Sequence, residues 1–125
     1  MLKNILLIGM GGFLGSIFRY FISFLNISYD IFSIPVGTLL VNISGSFIIG
    51  FLTGIADKST ILTLEWRLFL MVGLCGGFTT FSTFTNENLT LLHNGQFLSI
   101  GIYTGLSIFL GFIAVYLGYI TSNIL

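Results

Sequence analysis

The stretch GLCGGFTTFSTF at residues 73–84 decides how this chain is organised. Two adjacent glycines, Gly76 and Gly77, are followed by four hydroxyl residues set among phenylalanines, and this composition disfavours a continuous helix. The run lies within a longer apolar segment. The stretch therefore predicts a helix that is broken near mid-membrane. Backbone groups freed by such a break are tolerated at membrane depth only where they line a cavity or bind an ion.

The composition of the whole chain is too apolar for a protein that folds in water. Of the 125 residues, 55% are hydrophobic and 6% are charged, whereas about 25% of a typical soluble chain is charged. Four basic and four acidic residues leave no net charge. Nothing in this balance indicates a nucleic acid or a nucleotide as partner, and the lipid bilayer is the expected surrounding medium.

Four apolar segments are long enough to cross a membrane, since a spanning helix needs about 20 residues. They cover residues 3–25, 35–56, 65–84 and 97–120, with polar connections at 26–30, 57–60 and 86–96. The segments do not alternate as the strands of a membrane barrel do. We therefore predict an all-α membrane protein with four transmembrane helices, in which residues 1–125 form a single domain.

Glycines recur at a spacing that lets helix backbones approach each other closely in lipid. The pairs at this spacing are Gly11 with Gly15, Gly12 with Ser16, Gly50 with Gly54, Gly73 with Gly77, and Gly101 with Gly105. Packing between helices is a sufficient explanation for most of them.

Polar residues form two stripes on otherwise apolar helices. Thr38, Asn42 and Ser46 share one face of the second segment, and Ser99, Tyr103 and Ser107 share one face of the fourth. Hydrogen bonds between helices explain such stripes, and so does a path for a small polar solute. Both interpretations stay open from the residues alone.

Phe81 and Phe84 are spaced to share a helix face within the hydroxyl-rich run. Phenylalanines at this spacing usually pack in a core or against lipid. Their rings have a positive edge, however, and two such edges contact an anion without the desolvation that a buried Lys or Arg demands. Their position in the predicted break favours this second interpretation.

No set of residues suits covalent chemistry, so an enzyme is not expected. The acidic residues Asp57, Glu65 and Glu87 are all assigned to loops or to the ends of segments. A small multidrug transporter of four spans would need a membrane-embedded carboxylate, and the first segment has none. The other alternative is a structural subunit of a larger membrane complex, which would leave the polar stripes and the glycine break unexplained.

Three strings together resemble a known family: GGFLGSIFRY (11–20), PVGTLLVNISGSFIIG (35–50) and GLCGGFTTFSTF (73–84). They are similar to the signature of the Fluc, or CrcB, family of fluoride channels, over the first three helices. The resemblance implies an antiparallel, dual-topology homodimer with two pores that is selective for fluoride. It also implies passive export of cytoplasmic fluoride across the bacterial inner membrane, driven by the membrane potential.

The resemblance also assigns roles to individual residues. Asn42 would face the pore, and Phe81 and Phe84 would line the fluoride path. Hydroxyl groups along or near the path would come from Thr38, Ser82, Thr83, Tyr103 and Ser107. The backbone carbonyls of Gly76 and Thr79 would hold a structural sodium ion on the dimer axis. Arg19 and Glu87 match a basic and an acidic position of the family, with a vestibule or structural role.

The loop charges are compatible with insertion in either direction. Lys3, Lys58 and Arg67 are predicted on one side of the membrane and Arg19 on the other. Three against one is a weak bias under the positive-inside rule. Antiparallel pairing of two copies is therefore permitted by the sequence.

Overall fold

The structure, a computed structural model, describes residues 1–28, 30–58 and 60–125. Its elements in chain order are α1 (Leu2–Ser23), α2 (Leu25–Ser28), β1 (Asp30–Ile31), β2 (Ile34–Pro35), α3 (Val36–Lys58), α4 (Leu64–Arg67), a π-helix (Leu68–Cys75), α5 (Gly76–Phe78), α6 (Phe81–His93) and α7 (Phe97–Ile124).

Four helical segments are long and apolar enough to cross a membrane: Leu2–Ser23, Val36–Lys58, Leu64–His93 and Phe97–Ile124. The third combines α4, the π-helix, α5 and α6. Large apolar side chains cover the outside of the bundle; Phe13 and Phe112, for example, are 66% and 74% exposed. The prediction of an all-α, multi-pass membrane protein is confirmed, because lipid is the solvent that accepts such a surface.

Helix α1 packs on the π-helix and α5 through the predicted glycine pairs. A side chain on Gly11 would overlap the carbonyl of Phe69, and one on Gly15 would overlap the carbonyl of Leu74. From the other side, Gly77 lies against the backbone of Gly12. The absence of side chains here brings the two backbones into direct contact, which increases the dispersion attraction between them.

Helix α3 packs on α7 in the same way. Gly50 lies against the backbone of Val115, and Gly118 lies against the carbonyl of Phe47. By contrast, Gly101 and Gly105 meet no atom of the described residues within 4 Å. This last pair therefore has no packing partner among the described residues of one chain.

The helical backbone of the third span is interrupted at Thr79 and Thr80, which we call the break. Thr79 has φ −76° and ψ 157°, and Thr80 has φ −151° and ψ 121°, so both are extended. Before the break, the eight residues Leu68–Cys75 form a π-helix. The sequence analysis did not predict the π-helix.

The third span continues well past its predicted end. The polar residues 86–93, assigned to a connection, belong to α6, and the chain turns only at residues 94–96, where Gly95 has φ +69°. Glycine adopts a positive φ more readily than residues that carry a side chain. The polar composition was misleading because two of these side chains, Glu87 and Asn88, bond to other helices of the bundle.

A short hairpin of β1 and β2 covers the start of α7. Its turn residues Phe32 and Ser33 both have positive φ, of 55° and 60°. The Gln96 amide donates to Ser33 Oγ at 2.8 Å, and Ser99 Oγ donates to the Phe32 carbonyl at 2.7 Å. Ser99, one member of the predicted stripe on the fourth span, therefore anchors a loop.

Three of the four basic residues lie at one end of the bundle. Lys3 forms an ion pair with Glu65. Lys58 Nζ donates to the Asn123 carbonyl at 2.8 Å, and Arg67 Nη2 donates to the Ala56 carbonyl at 2.9 Å. These contacts join the start of α1, the end of α3 and the end of α7.

Candidate functional site

The break is paired with the side chain of Asn42 on α3. Thr80 N–H donates to Asn42 Oδ1 at 2.8 Å, and Asn42 Nδ2 donates to the Thr80 carbonyl at 3.0 Å. Both polar atoms of the amide therefore contact one residue of the third span. In lipid, where an unsatisfied backbone group costs several kcal/mol, this pairing stabilises a non-helical backbone.

Thr80 also starts α6. Its Oγ1 accepts a hydrogen bond from Thr83 N–H at 3.2 Å and donates to Thr83 Oγ1 at 3.0 Å. Ser82 Oγ lies 3.4 Å from the same oxygen. Thr80 is thus the N-cap of α6, a position at which Ser, Thr, Asp and Asn are preferred. The site prediction omitted Thr80, although a threonine before a helical run is a recognisable cap signal.

A cavity of about 440 Å³ lies between the break, α3 and α7. Its polar and aromatic lining includes Asn42, Ser46, Thr79, Thr80, Phe81, Phe84 and Ser107. We call it the aromatic cavity. The ring centroids of Phe81 and Phe84 are 5.9 Å apart, and Phe81 is 77% exposed. The hydroxyl of Ser107 is buried and has no hydrogen-bond partner among the described residues.

A second cavity, of about 360 Å³, lies on the α1 side of the break. Its lining includes Ser16, Arg19, Asn26, Thr38, Thr80 and Thr83, and we call it the arginine cavity. Arg19 Nη1 donates to the Thr79 carbonyl at 3.4 Å. Because Thr80 lines both cavities, the break forms a wall between them.

Glu87 lies inside the third span, contrary to the prediction that every acidic residue sits at a loop or at the end of a segment. Its carboxylate accepts from Thr38 Oγ1 at 2.7 Å, from the Tyr103 hydroxyl at 2.6 Å and from Asn26 Nδ2 at 3.4 Å. Asn26 also accepts from Thr38 N–H at 3.1 Å. A carboxylate that is half-buried among apolar residues needs such donors, which explains how an acid is accommodated within the span.

The sequence analysis missed Asn26 because it lies in a polar stretch that reads as a connection. In a chain with so few charged residues, an asparagine next to a span end is itself a weak signal of a helix-to-helix hydrogen bond.

The break alters the hydrogen bonding of two backbone carbonyls. In a continuous helix the Gly76 carbonyl would accept from Thr80 N–H, but that N–H is bound to Asn42. Gly76 is exposed, with open space where a side chain would stand. The Thr79 carbonyl faces Arg19, as described above, and a carbonyl oxygen has two lone pairs.

The comparison with known families agrees with this architecture. The family model described as "CrcB-like protein, Camphor Resistance (CrcB)" matches residues 6–119. The chain belongs to the CrcB family. The resemblance found in the sequence is thereby confirmed across nearly the whole chain.

Several curated relatives of this CrcB-family chain carry the name "Fluoride-specific ion channel FluC". The chain is 45% identical over 120 residues to the one from Chlorobium luteolum, which covers 96% of this chain and 92% of the relative. It is 46% identical over 121 residues to the one from Methanococcus maripaludis, covering 97% of each. In agreement with the sequence analysis, these relatives are named as ion channels and not as enzymes.

The predicted pathway residues of this CrcB-family chain occupy different places in the structure. Asn42, Phe81, Phe84 and Ser107 line the aromatic cavity, and Thr38 and Thr83 line the arginine cavity. Tyr103 is fully buried and its hydroxyl is bound to Glu87. Ser82 is exposed on α6. A single chain therefore does not bring all eight side chains to one cavity.

Proposed function

We propose that the chain is a fluoride-selective ion channel, and the lining of the aromatic cavity is the observation that carries this proposal. Fluoride is small and strongly hydrated, so a pore must replace its water with hydrogen-bond donors. The Ser107 hydroxyl is buried and unpaired among the described residues, and Phe81 and Phe84 supply positive ring edges. No charged side chain of the described residues lines this cavity, so an anion is neither repelled nor trapped.

The remaining predicted residues would serve the route on either side of this cavity. Thr38, Ser82, Thr83 and Tyr103 carry hydroxyls next to the break or to Glu87. Arg19 would attract the anion electrostatically into the arginine cavity. Glu87 would support the fold, since its oxygens are occupied by donors from three elements.

The channel would work as a dual-topology homodimer in the lipid bilayer. The aromatic cavity is bordered by Phe81, which is 77% exposed, and a second copy would enclose it. A two-fold axis parallel to the membrane plane relates two such copies inserted in opposite directions. In this assembly the break would lie near mid-membrane, halfway along the span Leu64–His93.

A structural sodium ion on the dimer axis would suit the carbonyl oxygens at the break. Sodium is a hard cation that takes oxygen ligands, and the Gly76 carbonyl is released from its helical partner. The Thr79 carbonyl has a second lone pair besides the one that faces Arg19. The ion would neutralise these partial charges and hold two copies together, while the fluoride path would stay with the side chains.

Export would require no energy source other than the membrane potential. Hydrofluoric acid crosses lipid as a neutral molecule and dissociates in a less acidic cytoplasm, where fluoride is trapped. A passive path in the bacterial inner membrane lets an inside-negative potential drive the anion out. The chain would therefore protect the cell against fluoride without nucleotide hydrolysis.

The experiment is fluoride efflux from liposomes that carry the purified protein, read with a fluoride electrode after a potassium ionophore sets the potential. We expect fast efflux without an added energy source and little chloride efflux in a parallel assay. No fluoride efflux from folded, reconstituted protein would contradict the channel and favour a structural subunit. Substrate efflux driven by a proton gradient would instead indicate a small multidrug transporter.

A further inference from the structure

We propose that Asn42 is a positioning residue: its side-chain amide holds Thr80 in the extended conformation and thereby sets where α6 begins. This inference rests on the proposed function, because it concerns how Phe81 and Phe84 are presented to the fluoride path. It differs from a role in which Asn42 acts mainly by donating a hydrogen bond to the anion.

The two hydrogen bonds between Thr80 and Asn42 resemble those between one pair of residues in antiparallel strands. In an extended residue, N–H and C=O point to the same side, and two antiparallel strands exchange both bonds between one pair of residues. Thr80, at φ −151° and ψ 121°, presents its two groups in this way. The Asn42 amide bonds both groups: its Oδ1 accepts from Thr80 N–H at 2.8 Å, and its Nδ2 donates to the Thr80 carbonyl at 3.0 Å. The Asn42 side chain can take the place of a neighbouring strand because its amide carries an acceptor and a donor on one carbon and both atoms reach Thr80.

The pairing also prevents the third span from becoming a continuous helix. Without Asn42, the nearest partner for Thr80 N–H is the Gly76 carbonyl, four residues earlier, and that bond would make the break helical. Thr80 is 8% exposed, so water is a poor substitute. In lipid the chain must satisfy this N–H within the protein.

A helical Thr80 would displace the residues that follow it. Thr80 Oγ1 caps α6 through Thr83 N–H, and Phe81 is the first residue of that helix. An N-cap has a non-helical backbone, so the cap and a helical Thr80 exclude each other. Loss of Asn42 would therefore reorient α6 and carry Phe81 and Phe84 away from the aromatic cavity.

The test measures the backbone chemical shifts of Thr80 by NMR on the full chain in detergent micelles, which distinguish an extended from a helical backbone, together with fluoride efflux from liposomes. Asn42→Leu keeps the size of the side chain and removes both polar atoms, and Asn42→Gln keeps the amide but moves it outward by one methylene. Ser44→Ala is the matched control, since Ser44 is an exposed α3 residue whose hydroxyl bonds the Leu40 carbonyl of its own helix.

In both Asn42 variants we expect the Thr80 Cα and Cβ chemical shifts to move from extended towards helical values, since Thr80 N–H then bonds the Gly76 carbonyl. Fluoride efflux should fall in both, and Ser44→Ala should change neither quantity. Unchanged, extended Thr80 shifts in folded Asn42→Leu would overturn the proposal, as would substantial efflux by Asn42→Gln, which still offers a donor.

Two further measurements keep the proposal open to refutation. In the wild-type chain, the Thr80 amide should be protected although Thr80 is outside a helix, and exchange at the rate of an unprotected amide would overturn the proposal. If Asn42→Leu does not fold, Asn42→Ala is measured in its place, with the same outcomes. Wild-type protein that passes no fluoride while the Thr80 chemical shifts respond to Asn42 would overturn the proposed function and leave the pairing established.

Discussion

The hydroxyl of Tyr103 donates a 2.6 Å hydrogen bond to Oε2 of Glu87, and Tyr103 is fully buried. This bond joins α7 to α6, and Thr38 joins α3 to the same carboxylate at 2.7 Å. One acidic side chain therefore connects three helices inside a surface that faces lipid. In such surroundings each donor matters, because a buried acceptor that loses its partner keeps the full cost of desolvation.

Removing the Tyr103 hydroxyl should destabilise the protein. Tyr103→Phe leaves one carboxylate oxygen without its donor, and we expect a loss of about 1–3 kcal/mol in the free energy of unfolding. Unfolding in detergent micelles, followed by circular dichroism, measures it. Tyr116→Phe is the control, since Tyr116 lies on the same helix and is 66% exposed. Equal stability of the two variants would mean that the bond to Glu87 contributes nothing.

Replacing either ring of the aromatic cavity should reduce fluoride flux. Phe81→Ile and Phe84→Ile keep an apolar side chain but remove the positive ring edge. We expect lower efflux from liposomes at unchanged protein content and unchanged dimer formation on gel filtration. Phe112→Ile serves as control, because Phe112 is 74% exposed on α7 and does not line the cavity. Wild-type flux in both cavity variants would rule out the ring-edge mechanism.

The cap at the start of α6 should contribute measurably to stability. Thr80→Val keeps the shape of the side chain and removes the oxygen that accepts from Thr83 N–H, so a loss of about 0.5–2 kcal/mol is expected. Thr90→Val is a control on the same helix, as its exposed hydroxyl bonds the Asn86 carbonyl one turn earlier. Thermal unfolding of both variants in the same detergent gives the comparison. A cap role is contradicted if Thr80→Val unfolds no earlier than Thr90→Val.

Two glycines of α7 should respond differently to alanine. Gly118 lies against the carbonyl of Phe47, so a methyl group there forces α3 and α7 apart at a cost of about 1–3 kcal/mol. Gly101 faces open space, and alanine is the better helix former there. The midpoint of thermal unfolding should drop for Gly118→Ala alone. An equal drop for Gly101→Ala would show that the contact with α3 is not the cause.

Removing sodium should weaken the proposed dimer. If the Gly76 and Thr79 carbonyls hold the ion, replacing sodium by N-methyl-D-glucamine should lower the temperature at which dimers dissociate in detergent. The expected loss follows from linkage, because an ion that binds only the dimer stabilises it by mass action. Potassium at the same ionic strength is the control for screening. Identical dissociation in all three salts would remove sodium from the interface.

The sequence by itself determined the class of the protein, the number of spans and the family. Lipid accepts only apolar helices or closed barrels, so a spanning helix is recognised from the hydropathy of about 20 residues, which depends on composition alone. The start of the fourth helix at Phe97 was predicted correctly. The glycine pairs Gly11–Gly15 and Gly73–Gly77 were also predicted, because close backbone contact in a membrane requires small residues at helical spacing.

Only the tertiary structure decided where the polar side chains go. The sequence places Glu87 in a polar stretch, whereas in the structure it is half-buried on α6 and bonded to Thr38 and Tyr103, which are distant in the chain. Likewise, glycines and threonines predict a weak helix at residues 76–83, but in the structure the extended Thr80 is paired with Asn42, 38 residues earlier. A polar group inside a membrane is stable only when specific partners satisfy it, and those partners are set by helix packing, which no local pattern encodes.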